Sequence, residues 1–155
     1  MAHSKLREAY KAIEGTSIQL NGDTVRCRGL DNFQTVVNPA NLPLRLLLPV
    51  GSNANGRNLS IISADHSGRA ATWLIPELAL LAPMTAGQGL EEYAGLLVDY
   101  VVAYEQAILD RRVDFANEGF LINNMALDTG LYEWPAESGK WYFGVRANLT
   151  VQELI

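Results

Sequence analysis

From Lys140 to Ile155 the chain reads KWYFGVRANLTVQELI, and its side chains sort by parity. Trp141, Phe143, Val145, Ala147, Leu149 and Val151 share one parity; Tyr142, Gly144, Arg146, Asn148, Thr150 and Gln152 share the other. Successive residues of a strand point to opposite faces, so the pattern predicts a long strand with one apolar and one largely polar face. Such a face needs a cover. Residues 90–109 offer one: Tyr93, Leu97, Tyr100, Val101, Tyr104 and Ile108 recur at helical spacing, while Glu91, Glu92, Asp99, Glu105 and Gln106 keep much of the remaining surface polar. The acidic start of this helix and the Arg111-Arg112 pair at its end both suit the helix dipole.

Elsewhere the periods are shorter. Ser4 is a candidate N-cap for a helix carried by Leu6, Ala9, Tyr10 and Ile13 and ended by Gly15. Ile18 and Leu20, then Val25 and Cys27, flank Asn21-Gly22-Asp23, which predicts a short hairpin. Residues 29–41 read as a loop with a candidate strand at 34–37. The run LPLRLLLPV at 42–50 fits a buried strand with Pro43 at its start, and GSNANGRN at 51–58 a flexible loop. Further strands are expected at 59–63, 71–82 and 120–127, with a loop at 131–139. Pro76 places the 71–82 strand at an edge or a bulge. The predicted fold is α+β: one domain over 1–155, its mixed or antiparallel sheet packed by the long helix and the shorter N-terminal one.

Composition narrows the classes. Of the 155 residues 48% are hydrophobic and 19% charged, the balance of a globular chain, and a chain this long buries roughly 70% of its unfolded surface. The formal net charge is −5 and the basic residues are scattered, which disfavours a reader of nucleic acid but not a protein that lets DNA pass through a lumen. Cys27 is the sole cysteine, so neither an internal disulfide nor a cysteine-held zinc or iron–sulfur centre is available. No stretch approaches the ~20 apolar residues of a membrane span, and MAHSKLREAY lacks a secretory core, so no membrane contact and a reducing cytosolic setting are expected.

Chemistry-bearing patterns are weak. Asp65, His66 and Ser67 are adjacent, but a catalytic triad is defined by spatial geometry and no G-x-S-x-G elbow accompanies them. Neither His3 nor His66 has spaced metal-ligand partners. GSNANGR lacks the lysine of a phosphate-binding loop, and Gly87 and Gly89 fall short of a dinucleotide fingerprint. Glu77, Glu91, Glu92, Asp110 and Asp114 each suit a solvated face or a dipole, and Cys27 suits structural burial. The expectation is no catalytic, cofactor-binding or metal-ligating residue. Tyr132 and Trp134, in the turn-rich LYEWPAESGK, are either tucked over the sheet or presented to a partner.

One resemblance covers most of the chain in element order. An N-terminal helix, a strand opened by Leu42-Pro43-Leu44, a Trp-containing strand at 71–82, a long helix and a closing W-Y-F-G-V-R-A-N-L-T-V-Q-E strand resemble the tail terminator proteins of long-tailed bacteriophages. The resemblance implies a small α+β subunit, six copies of which form a ring capping the tail tube. Its partners would be itself, the tail-tube protein and the head-side connector, with DNA passing through the lumen and the protein residing in the virion tail or neck after assembly in the host cytoplasm. Asn53, Asn55, Arg57, Arg69, Tyr132 and Trp134 are the candidate docking residues, from loops that can order on binding. The alternatives are another neck or tail-tube component, or an enzyme whose site is assembled across subunits from His66 with Asp65 or Glu77.

Overall fold

In the computed structural model, residues 6–29, 37–48, 63–64, 71–85 and 89–153 are described. Helix α1 (Leu6–Glu14) is followed by the short strands β1 (Gln19–Leu20) and β2 (Asp23–Thr24), then β3 (Arg26–Arg28), a 3-10 turn (Pro39–Asn41) and β4 (Leu44–Leu47). After β5 (Ser63–Ala64) come β6 (Ala71–Pro83), α2 (Leu90–Asp110), α3 (Arg112–Glu118), β7 (Phe120–Glu133) and β8 (Trp141–Glu153). The architecture is α+β. β1 and β2 form their own antiparallel pair, and the main sheet runs β3-β4-β6-β8-β7, with β5 alongside β6. Among the described strands β3 and β4 alone pair in parallel, so the sheet is mixed.

The two predicted stripes meet. Phe143, Val145, Ala147, Leu149 and Val151 of β8 share one core with Leu97, Tyr100, Tyr104 and Ile108 of α2, against which Tyr93 and Val101 also pack. Tyr93 stacks on Phe143 with ring centroids 4.5 Å apart. Trp141, on the same parity, is exposed. The other face of the sheet carries a smaller core: Leu44, Leu46 and Leu48 with Leu78, Leu80, Trp134 and Tyr142. Apolar residues on both parities explain why LPLRLLLPV reads as a continuous run.

Pro76 is not on an edge strand. β6 lies between β4 and β8, and its bulge falls between Leu80 and Ala82. The proline is tolerated because β4 ends there: Leu47 is opposite Glu77, and the next residue, Leu48, donates its N–H to the Pro76 carbonyl at 2.9 Å. The return bond of that antiparallel pair would come from an N–H that proline lacks. The Tyr10 hydroxyl of α1 supplies the missing donor, 2.5 Å from the Leu48 carbonyl oxygen. Tyr10→Phe should therefore strand a buried carbonyl and cost about 1–3 kcal/mol in urea denaturation. In a Pro76→Ala background, where residue 76 regains an N–H, the same change should cost less. Equal costs in both backgrounds would refute this account.

Two segments differ from the sequence expectation. β7 continues past 127 to Glu133, with Gly130 paired to Gly144, so the loop shrinks to 134–140. A separate α3 follows α2, broken from it at Arg111 and ended by Gly119 at φ 100, the left-handed conformation that favours glycine. The candidate strand at 34–37 and the loop at 51–58 lie outside the described residues, apart from Val37, which is buried without regular structure.

Candidate functional site

Two otherwise apolar strands each carry one opposite charge on the face beneath α2. Arg45 of β4 and Glu77 of β6 sit one diagonal apart, since Arg45 is opposite Ala79 and Leu47 opposite Glu77. Both side chains are 1% exposed. Arg45 Nε donates to Glu77 Oε1, and the Tyr104 hydroxyl donates to Glu77 Oε2 at 2.7 Å. The rest of the guanidinium reaches the carbonyls at the end of α1: Thr16 at 2.6 Å and Ile13 at 3.2 Å. One side chain thus neutralises a buried carboxylate and satisfies helix-end acceptors that have no intrahelical donor. Arg111 reinforces the same corner, donating to the Ala12 carbonyl at 2.9 Å and to Thr16 Oγ1 at 3.0 Å.

Burial and the neighbouring charges act together on Arg45, the two tyrosines and Cys27. Burial, the largest single influence, would weaken the charge on Arg45, but Glu77, Tyr100 and Cys27 together outweigh it and raise the guanidinium's proton affinity. Burial, with Glu77 adding to it, pushes the Tyr100 and Tyr104 phenols well up. The Cys27 thiol is pushed up to about 12, first by burial. At neutral pH the thiol and both phenols keep their protons, so the arrangement holds α1 and α2 to the sheet in fixed register.

Above the cluster a cleft of about 500 Å³ opens between α1 and β3, lined by Lys11, Glu14, Ser17, Arg26, Cys27 and Arg45 among others. A larger one of about 720 Å³, lined by Glu8, Lys11, Arg111 and Glu118 among others, adjoins it. Among the described residues no three His, Cys, Asp or Glu side chains gather as metal ligands. No described helix is long and apolar enough to cross a membrane.

Of the candidate docking residues, Asn53, Asn55, Arg57 and Arg69 lie outside the described residues, as do His3, Asp65 and His66. Tyr132 and Trp134 are tucked in. Trp134 is buried at 4% exposure in the smaller core, against the expectation that it could face a partner, because Leu44, Leu78 and Tyr142 provide apolar surface there. Tyr132 is half-buried and donates its hydroxyl to the Asp128 carbonyl at 2.8 Å. Burial, then Asp128, raises its phenol above the ordinary range. The loop after it is compact: the Glu133 carboxylate accepts the N–H groups of Glu137 and Gly139, each at 3.0 Å. Its exposed positions are 137–140, not the aromatics.

The surface feature missed in the sequence is the edge of the sheet. β7 is 14 residues long, and among the described residues it pairs only with β8. Its sequence, FLINNMALDTGLYE, holds no lysine, arginine or proline, and Asp128 and Glu133 are its only charges. A bulge between Ile122 and Asn124 is the single irregularity, and Leu121, Ala126, Asp128, Thr129 and Leu131 are exposed. Compared with known proteins, the chain matches no family model and no curated protein.

Proposed function

We propose that the protein is a ring-forming subunit of a long-tailed phage, the terminator that caps the tail tube and joins it to the head-side connector. The observation that carries this reading is the β7 edge. A strand of 14 residues that among the described residues pairs on one side alone, with one bulge and no lysine or proline to block it, is a template for strand addition. Native chains protect such an edge or use it, and a repeating assembly uses it. In a closed ring the contact is heterologous, β7 of each copy meeting a different surface of the next. The order of elements adds support through its resemblance to tail terminators, and the net charge of −5 suits a lumen that lets DNA through without gripping its phosphates.

The same edge would serve a tail-tube subunit, and one assay separates the two. Purified protein is added to tube subunits polymerising in vitro, with tube length read by negative-stain microscopy and particle mass by light scattering. A terminator gives discrete rings alone and shorter tubes in the mixture. Filaments formed by the protein alone would favour the tube subunit, and unchanged tube length would remove the terminator reading. Ala126→Lys with Thr129→Lys, both at exposed positions, should abolish the rings while leaving the thermal melt within a few degrees, because edge charges oppose pairing at little cost to the monomer.

A further inference from the structure

α2 carries a second apolar line besides the one it buries. Val98, Val102 and Leu109 are 59%, 60% and 45% exposed, and Val113 at the start of α3 is 65% exposed. At about 100° of rotation per residue, positions 98, 102 and 109 fall within about 40° of one another, and roughly 120° away from Leu97 in the buried stripe. Scattered exposed valines would mean little, but a line of them does not arise from packing inside the chain.

Gly95 points the same way. It lies about 60° from Val98 on the wheel, in the second turn of the helix, and a Cβ added there would meet nothing within 4 Å. Glycine weakens a helix interior, and nothing among the described residues requires one at that position. An approaching helix backbone would. The charges specify the partner: Glu91, Glu92, Asp99, Glu105 and Asp110 are all exposed, and α2 has no basic residue. A second copy's α2 would set acid against acid, and anionic lipid or nucleic acid would be repelled as well.

We infer that the Gly95–Val98–Val102–Leu109 line of α2 is the docking face for a basic amphipathic helix. The partner's apolar residues would pack on the valines, its backbone would come close at Gly95, and its lysines and arginines would flank the seam opposite the five carboxylates. This surface does not depend on the ring reading. The test uses a synthetic helical peptide as long as α2, with leucine and valine at helical spacing between lysines, and a twin with glutamate for every lysine. Fluorescence anisotropy should show the lysine peptide binding at least about tenfold more tightly than its twin, and more weakly as salt rises. Val98→Asp with Val102→Asp should weaken binding about tenfold or more, as should Glu91→Lys with Glu105→Lys. Gly95→Leu should raise the melting temperature yet weaken binding. Equal binding of the two peptides, or undiminished binding by the aspartate variant, would overturn the inference. So would a wild-type protein that sediments as a larger species than the aspartate variant, since that outcome assigns the seam to a second copy.

Discussion

Glu77→Leu is expected to cost about 3–5 kcal/mol of folding stability, among the largest losses any single substitution in this chain should cause. The leucine itself suits the site, which lies between β4 and β8 under α2. The loss comes from what remains: Arg45, 1% exposed, would hold a buried positive charge without its counterion. Tyr104 would also lose its acceptor. Arg45→Met combined with Glu77→Leu should recover much of the loss, because a buried pair replaced by apolar side chains of similar volume is often neutral. Recovery should fall short of wild type by about 1 kcal/mol, since the Thr16 carbonyl would lose its guanidinium donor while the Ile13 carbonyl keeps the N–H of Thr16. Urea denaturation of the two single variants and the double variant closes the cycle. A Glu77→Leu protein within about 1 kcal/mol of wild type would show that the pair contributes no such coupling.

Gly144→Ala should cost about 3 kcal/mol or more, while Gly130→Ala, its direct cross-strand partner, should be neutral or stabilising by up to about 1 kcal/mol. A Cβ at Gly144 would stand 2.3 Å from the Ala79 carbonyl oxygen, a backbone atom fixed in the centre of the sheet. Relief would require β6 and β8 to move apart next to the bulge at Leu80/Ala82. At Gly130, on the edge strand, an added Cβ meets nothing within 4 Å, so only the entropy gain of a stiffer unfolded chain is left. Thermal melts of the two variants should shift in opposite directions or by very different amounts. Similar small shifts would mean that the close approach at Gly144 relaxes at little cost.

The parts of the fold legible in the sequence were those with a sustained period. β8 alternates over nearly its whole length and α2 repeats its apolar stripe over about four turns, so both were placed to within a residue or two. The far half of β7 was hidden because Gly130 and Pro135 read as turn residues; the sheet overrides that preference by pairing Gly130 with Gly144. α3 was hidden because seven residues are too few to show a period, although Phe115 and the glycine just past the end were its signals. The ion pair was visible only as one arginine in LPLRLLLPV and one glutamate in ATWLIPELALLA. Opposite single charges inside two apolar strands are the signature of a buried pair, but the pairing of those strands is a long-range fact. Pro76 was read by the local rule for proline, which could not reveal that Tyr10, on a distant helix, supplies the donor the sheet lacks.

The position of β8 in the sheet sets how the molecule can be made. β8 follows the other described strands in the chain, yet it lies between β6 and β7 and is the long partner of both. On a ribosome, β6 is therefore complete before α2, α3 and β7 are made, with no long strand to pair with and its apolar residues uncovered. β7 in turn emerges with neither edge occupied. The hairpin between β7 and β8 joins two long strands that are neighbours in the chain and can close as soon as β8 is free of the exit tunnel, after which β6 has a template. Until then the nascent chain carries two long strands without their shared partner, the kind of surface that holdase chaperones bind.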